Sequence, residues 1–182
     1  MNLPVRPAGL FLRMVLVAVL SAPAAQAAGQ APVAGRPAGE SPPQPGAATG
    51  DAWLDGRLAD IDAYAARYPA AFAAELERYA GVPRAYVHGL LAQPGWGGGD
   101  AWFACFLARA TAATCRSVVR ARSRGGVQPW EQVASGFGAG PGSEAYAGLR
   151  LALADSYRRW ARPLQPDAAL RRALRHREPP AG

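Results

Sequence analysis

Residues 100–110 of the chain, DAWFACFLARA, predict a strongly apolar helix for which Asp100 is a good N-cap. The next helix is expected to begin at Thr111 or Thr114, to pass through Val118, and to end at the two glycines 125–126. From residue 51 onward the apolar residues follow a helical period, and no convincing stretch of alternating β-branched residues occurs. The expected fold class is therefore all-α.

Local capping signals predict further helices on both sides of this pair. Asp51 is an N-cap, Pro69 suits the first position of a helix, Gly81 is typical of a helix end, and Ser143 is the N-cap of the longest helix. Helices are expected over residues 51–68, 69–81, 83–93 and 143–160, and a short helical turn over residues 129–134. Residues 51–163 should thus form a compact bundle of about six or seven short helices with short connections.

Residues 1–28 have the pattern of a secretory signal peptide. Arg6 and Arg13 supply the positive charge, residues 14–20 are apolar, and Ala25-Gln26-Ala27 fits a cleavage site. The alternative is a membrane anchor, but a spanning helix needs about 20 apolar residues, and the apolar run here is far shorter. The mature protein is therefore expected in the periplasm or outside the cell, with no integral membrane span.

Two further segments flank the predicted bundle. Residues 29–50 are rich in Pro, Gly and Ala and contain almost no large side chains, so we expect a disordered linker. Residues 164–182 form a basic tail that is either weakly helical, around Leu170 and Leu174, or disordered.

The composition excludes several classes of chemistry. The chain has a net charge of +7, and its 20 basic residues are all arginine because it contains no lysine. A P-loop, a protein kinase site and a Schiff-base site each require a lysine. Zinc would need three or four converging ligands. His88 is the only histidine in the predicted bundle, and with two cysteines spaced ten residues apart it does not supply them. No metal and no cofactor is predicted.

Cys105 and Cys115 are predicted to form a disulfide. If their two helices form an antiparallel hairpin, positions about five residues before and after the turn lie level with each other. An even cysteine count in an exported chain favours oxidation. The alternatives are two free buried cysteines or a catalytic redox pair, which would normally have the spacing C-x-x-C.

Three groups of residues carry a resemblance to a known family. They are Tyr68 to Arg84 with its Gly-Val-Pro-Arg, Gly99 to Cys105 with the later Cys115, and residues 130–134 with Pro141-Gly142-Ser143. The pattern resembles an uncharacterised family of exported, predicted-helical proteobacterial proteins with the motifs GAPR, PGD-YAC and GW-VA-LGI-PGS. Gly98 replaces the motif's proline, and residues 136–140 replace its Leu-Gly-Ile turn. The resemblance implies export and a helical fold and implies no reaction.

Several motifs suggest chemistry but have simpler explanations. The glycine-rich loop 95–99 could cradle a phosphate, although Asp100 would repel it, so a flexible turn is expected. His88 is expected to be a partly exposed helix residue with no nucleophile beside it. The carboxylate pairs at 60 and 62 and at 75 and 77 should point to different faces of their helices, which argues against a two-carboxylate hydrolase.

Arginine runs form the strongest charge feature, at residues 116–124, 158–162 and 171–177. They could be a solvated face, a contact for anionic envelope polymers or lipids, or a nucleic-acid surface. Nucleic acid is disfavoured because the signal peptide takes the chain out of the cytoplasm. A candidate binding surface is assigned to four residues: Arg84, Trp96, Asp100 and Trp130.

We expect from these patterns a small exported helical protein with a non-enzymatic binding or scaffolding role in the cell envelope. Its partner would be an envelope protein or an anionic envelope polymer. One alternative is a hydrolase of envelope polymers with Asp100 or Glu75 as the acid. Another, if the chain is not exported, is a helical nucleic-acid-binding protein.

Overall fold

The computed structural model describes residues 48–177, and this part of the chain is all-α, as predicted. It contains eight helices and no strand, and seven of the helices lie within residues 51–163. The helices are α1 (Ala52–Arg67), α2 (Pro69–Ala80), α3 (Arg84–Leu91), α4 (Gly98–Ala110), α5 (Cys115–Arg122), α6 (Trp130–Ser135), α7 (Glu144–Arg159) and α8 (Ala168–Arg177). The predicted signal peptide and residues 29–47 of the predicted linker lie outside the described residues.

Four helix ends lie where the capping residues predict them. Asp51 accepts a hydrogen bond from the backbone N–H of Leu54 at 3.2 Å and begins α1. Pro69 is the first residue of α2, and Gly81 ends that helix with a left-handed φ of 70°. The hydroxyl of Ser143 accepts from the backbone N–H of Tyr146 and begins α7.

α4 lies at the centre of the bundle. It packs against α1, α5 and α7 and also contacts α2 and α3. All residues from Gly98 to Ala108 except Asp100 are buried, and Trp102, Phe103 and Leu107 have no exposed surface. An all-round apolar helix is stable in water only when other helices surround it, and this is the position that α4 occupies.

The start of α4 differs from the prediction. Its N-cap is Gly97, and Asp100 is the third residue of the helix, where its carboxylate accepts from the backbone N–H of Gly97 at 3.1 Å. The glycine-rich loop predicted as a flexible turn is therefore partly helical. A Cβ on Gly98 would lie 2.3 Å from the Cβ of Ala65, and one on Gly99 would lie 2.5 Å from the carbonyl oxygen of Leu58. These glycines let α4 approach α1 closely.

α5 begins at the second of the two threonines considered for it. The hydroxyl of Thr114 accepts from the backbone N–H of Ser117, whereas Thr111 ends α4. Cys105 and Cys115 lie with their Cα atoms 4.4 Å apart and form a disulfide, as predicted. Both cysteines are buried, so the bond lies within the core of the α4–α5 hairpin.

The packed region begins earlier than residue 51, which corrects the predicted end of the linker. Thr49 is fully buried, and its hydroxyl donates to the carboxylate of Asp55 at 2.8 Å. The Tyr146 hydroxyl donates to the carbonyl oxygen of Thr49 at 2.7 Å. The backbone N–H of Glu131 donates to the carbonyl oxygen of Ala48. Residues 48–50 thus belong to the bundle.

The sequence left residues 164–182 as either weakly helical or disordered. Residues 168–177 of this segment are helical. α8 packs against α7, and Leu170 is fully buried. The Arg150 guanidinium, which is itself buried, lies 2.5 Å from Asp51 and 3.2 Å from Asp167. Arg150 therefore joins the beginning of α1 to the residue that precedes α8.

Candidate functional site

Three of the four residues assigned to a binding surface lie together. The Trp130 indole N–H donates to Oδ1 of Asp100 at 2.7 Å, and the rings of Trp96 and Trp130 meet edge to face at 6.2 Å. Arg122, which the sequence interpretation did not single out, donates to the same Oδ1 at 3.1 Å. We call Trp96, Asp100, Arg122 and Trp130 the Asp100 cluster.

The Asp100 cluster is closed. Its carboxylate accepts from Trp130 and Arg122 on one oxygen and from the backbone of Gly97 on the other. The Arg122 guanidinium lies 4.4 Å from the centroid of the Trp130 ring, and only 3 % of the Arg122 side chain is exposed. Burial lowers the pKa of Arg122, while the adjacent Asp100 opposes that shift. The cluster joins α4 to α5 and α6 and engages both oxygens of Asp100 within the protein.

Asp62 lies on the α1 side of the same helix end. Its Oδ1 accepts from the backbone N–H of Gly99 at 2.8 Å. Burial raises the pKa of Asp62, and the neighbouring charge of Asp100 raises it further, whereas the bond from Gly99 acts in the opposite direction. Asp62 thus helps to fix α4 against α1.

Arg84, the fourth residue assigned to the binding surface, takes no part in the hydrogen bonds of the Asp100 cluster. It forms an exposed ion pair with Glu77 at 2.6 Å, between the end of α2 and the beginning of α3. Exposed pairs of this kind add little to stability or to recognition. His88 is exposed on α3, as expected.

The remaining carboxylates considered for catalysis are held in ion pairs. Glu75 is buried, and both of its oxygens accept from the Arg159 guanidinium, with a further bond from Ser156 at 2.7 Å. Asp60 pairs with Arg162 at 2.5 Å and accepts a hydrogen bond from the Tyr157 hydroxyl. Asp60 therefore faces α7, whereas Asp62 faces α4.

The three arginine runs differ in their surroundings. All three arginines of the run at 158–162 and the last arginine of the run at 171–177 pair with carboxylates: Arg158 and Arg177 with Asp155, Arg159 with Glu75, and Arg162 with Asp60. In the run at 116–124 only Arg122 does so among the described residues. Arg116, Arg120 and Arg124 are exposed, and we call these three residues the α5 basic face.

An open groove of about 560 Å³ lies between α1, the start of α2 and the end of α7. Its lining residues are Ala63, Tyr64, Arg67, Tyr68, Ala71, Trp160 and Arg162, and we call it the tyrosine groove. The rings of Tyr64 and Trp160 stack at 4.2 Å, and the ring of Tyr68 lies 5.2 Å from that of Tyr64. Burial raises the pKa of Tyr64 above the ordinary value for a phenol. No local pattern in the sequence indicates this groove because its walls come from three separate helices.

Residues 48–177 contain no group of three metal-ligating side chains. In the same part of the chain no helix is both long enough and apolar enough to cross a membrane. The disulfide is consistent with an oxidising compartment.

Comparison with known proteins assigns no family. No family model matches the chain, and neither the curated proteins nor the solved structures contain a match.

Proposed function

We propose that the protein is exported to the periplasm or the cell exterior and acts there without catalysis, by binding an anionic polymer of the cell envelope. The α5 basic face is the surface that carries this proposal. Such a protein could also act as a scaffold, because one polymer chain can hold several copies.

The α5 basic face has the geometry of a linear charge array. Arg116 and Arg120 are one helical turn apart, about 6 Å along the helix axis, and Arg124 lies in the turn that follows the end of α5 at Arg122. Tyr86 on α3 lies beside the array, with its ring centroid 5.3 Å from the Arg116 guanidinium. No carboxylate of the described residues lies within ion-pair distance of these three arginines.

A polymer fits this array better than a small anion does. A single exposed ion pair contributes about 1 kcal/mol at most, which does not hold a small ligand. Regularly spaced anionic groups on one chain can engage all three arginines, and each contact after the first is intramolecular. Binding of this type weakens as salt concentration rises.

Export is supported by two independent features. Residues 1–28 have the pattern of a cleaved signal peptide. The Cys105–Cys115 disulfide is of the kind that persists in oxidising compartments.

The hydrolase alternative is less well supported. A general acid needs a carboxyl oxygen within hydrogen-bond reach of the substrate, and an arginine that already bonds the carboxylate competes for that position. Glu75 is paired with Arg159 and Asp100 with Arg122. A panel of peptidoglycan and glycan substrates tests this alternative, because turnover that Asp100→Ala abolishes without loss of fold would favour the hydrolase.

Location separates the envelope proposal from nucleic-acid binding, since the same arginines could contact phosphates. In a bacterial host, we expect the mature protein outside the cytoplasm with its N-terminus near Ala28. Cytosolic protein that retains Met1 would contradict export and favour nucleic acid.

Cosedimentation with isolated cell envelopes tests the role of the α5 basic face. We expect wild type to sediment at low salt and the triple variant R116Q/R120Q/R124Q to stay in solution. The matched control is R78Q/R172Q/R175Q, which removes the same charge from three exposed arginines on α2 and α8. If both variants lose binding equally, net charge and not this face is responsible. If neither loses binding, the proposal is wrong.

A further inference from the structure

We propose that the tyrosine groove is a binding site for a saccharide unit that carries a carboxylate. This site is distinct from the α5 basic face, because none of its lining residues belongs to α5. The two sites can therefore be removed separately.

The groove offers an aromatic surface that the fold leaves partly open. Tyr68 is 46 % exposed, which makes it one of two large apolar side chains in residues 48–177 that are classed as exposed. Behind it, Tyr64 stacks on Trp160, and Trp160 in turn contacts the rings of Phe72 and Tyr157. The open ring of Tyr68 thus stands on a rigid aromatic base. A rigid aromatic wall binds a flat apolar face at low entropic cost.

Two arginines give this surface a positive charge. The Arg67 guanidinium lies 5.5 Å from the centroid of the Tyr68 ring and is exposed. No carboxylate of the described residues pairs with it. The Arg162 guanidinium lies 5.8 Å from the Tyr64 centroid and is partly neutralised by Asp60. Arg67 is therefore the cation available to a ligand, and its fork of N–H donors matches a carboxylate.

The combination of these groups selects the ligand class. A sugar ring presents a face of C–H groups that can lie on Tyr68, and hydroxyl groups that bond to the Tyr64 and Tyr68 phenols. A carboxylate on the ring pairs with Arg67. A small inorganic anion would use only the arginine, and an acyl chain would need a deeper apolar channel than an open groove. The volume of about 560 Å³ is within the range of small-molecule sites and holds one or two sugar units.

Isothermal titration calorimetry with the trimer of galacturonic acid tests the site. The uncharged comparison is the same trimer with all carboxylates methyl-esterified, and sodium acetate is the simple anion. We expect saturable binding of the acidic trimer, affinity at least tenfold lower for the ester, and no measurable heat for acetate. Binding of the ester with the affinity of the acid, or of acetate as tightly as the trimer, would overturn the proposal, as would no binding of the trimer up to millimolar concentration.

Variants then locate the binding. Arg67→Gln and Tyr68→Ala should each weaken binding of the acidic trimer about tenfold. Both residues are exposed, so neither variant should lower the melting temperature appreciably, and circular dichroism checks this. Two control variants should bind as wild type does. One is Arg78→Gln, which removes an exposed charge on α2, and the other is the triple variant of the α5 basic face. Unchanged affinity in both groove variants would place the sugar elsewhere and refute this assignment.

Discussion

Gly99→Ala should separate α1 from α4 and destabilise the protein. The new Cβ would lie 2.5 Å from the carbonyl oxygen of Leu58 and 3.0 Å from the Leu58 Cβ. Even close C–H···O contacts between helices keep carbon and oxygen about 3.3 Å apart, so the helices must shift by about 0.8 Å. The atom in the way belongs to the backbone of α1, which cannot turn aside as a flexible side chain would.

The size of the effect follows from two opposing terms. Overpacking a close-packed core costs about 1–3 kcal/mol, and a clash with helix backbone lies at the upper end of that range. Alanine in place of glycine in a helix contributes about 1 kcal/mol in the other direction. We expect a net loss of about 2 kcal/mol in the free energy of unfolding, and a melting temperature about 8 °C lower.

Gly56→Ala is the matched control because Gly56 lies on α1 itself. No atom lies within 4 Å of the position that its Cβ would take. The same substitution should therefore raise stability here, by about 0.5–1 kcal/mol.

Urea unfolding followed by circular dichroism at 222 nm measures both variants in the same buffer. Stability of Gly99→Ala equal to or above that of wild type would refute the close approach of α1 and α4. A loss at Gly56 as large as that at Gly99 would show that the clash is not the cause.

Three further predictions concern charge and the disulfide. Glu75→Gln leaves the Arg159 guanidinium without its carboxylate, and we expect a loss of about 2–3 kcal/mol in urea unfolding at pH 7; a loss below about 1 kcal/mol would contradict this. Burial raises the pKa of Asp62, so the folded state binds a proton at this carboxyl group more tightly than the unfolded state does. The wild-type protein therefore loses stability as the pH rises from the carboxyl pKa of the unfolded state to the higher pKa of the folded state. Asp62→Asn lacks that loss, so its stability relative to wild type should rise between pH 3 and pH 7, and an offset that is the same at every pH would argue against the shift. Reduction of Cys105–Cys115 should lower the free energy of unfolding by about 2–3 kcal/mol, and mass spectrometry of the non-reduced protein should find no alkylated thiol; a melting temperature that reductant does not change would rule out a stabilising role.

The helices could be predicted because their ends depend on local chemistry. Asp51, Pro69, Gly81 and Ser143 each act within one turn of their own position, and each marks a helix end in the structure. The disulfide was predictable for a related reason, because Cys105 and Cys115 are only ten residues apart on consecutive helices.

The start of α4 was mispredicted because tertiary packing overrides propensity there. Glycine is a poor helix former, so Gly98 and Gly99 look like part of a loop. The structure uses them inside the helix because a side chain at either position would collide with α1. Tertiary contacts also explain why Thr49 was placed in the linker. Nothing in the neighbouring sequence indicates that Thr49 forms hydrogen bonds with Asp55 and Tyr146.

The candidate sites were predictable only in part. Trp96, Asp100 and Trp130 were named from the sequence, but Arg122 looked like one member of a basic run. Its hydrogen bond to Asp100 joins residues 22 positions apart in the sequence, and helical periodicity does not indicate a contact over that separation. The tyrosine groove depends likewise on the docking of the end of α7 against α1.

The contacts of Arg150 have a consequence for the order of the chain. Because Asp51 and Asp167 meet at one guanidinium, and the Trp53 indole N–H donates to the carbonyl oxygen of Gln165 at 3.2 Å, the entry to the first helix adjoins the entry to the last. Since α8 is about 15 Å long, a linker of at least that length would be needed to connect residue 177 to residue 48. New termini could open at the exposed glycines 125–126 between α5 and α6. A circular permutant of this kind would begin with α6 and end with α5 while every helix kept its neighbours, so the architecture does not depend on the helix from which the chain begins.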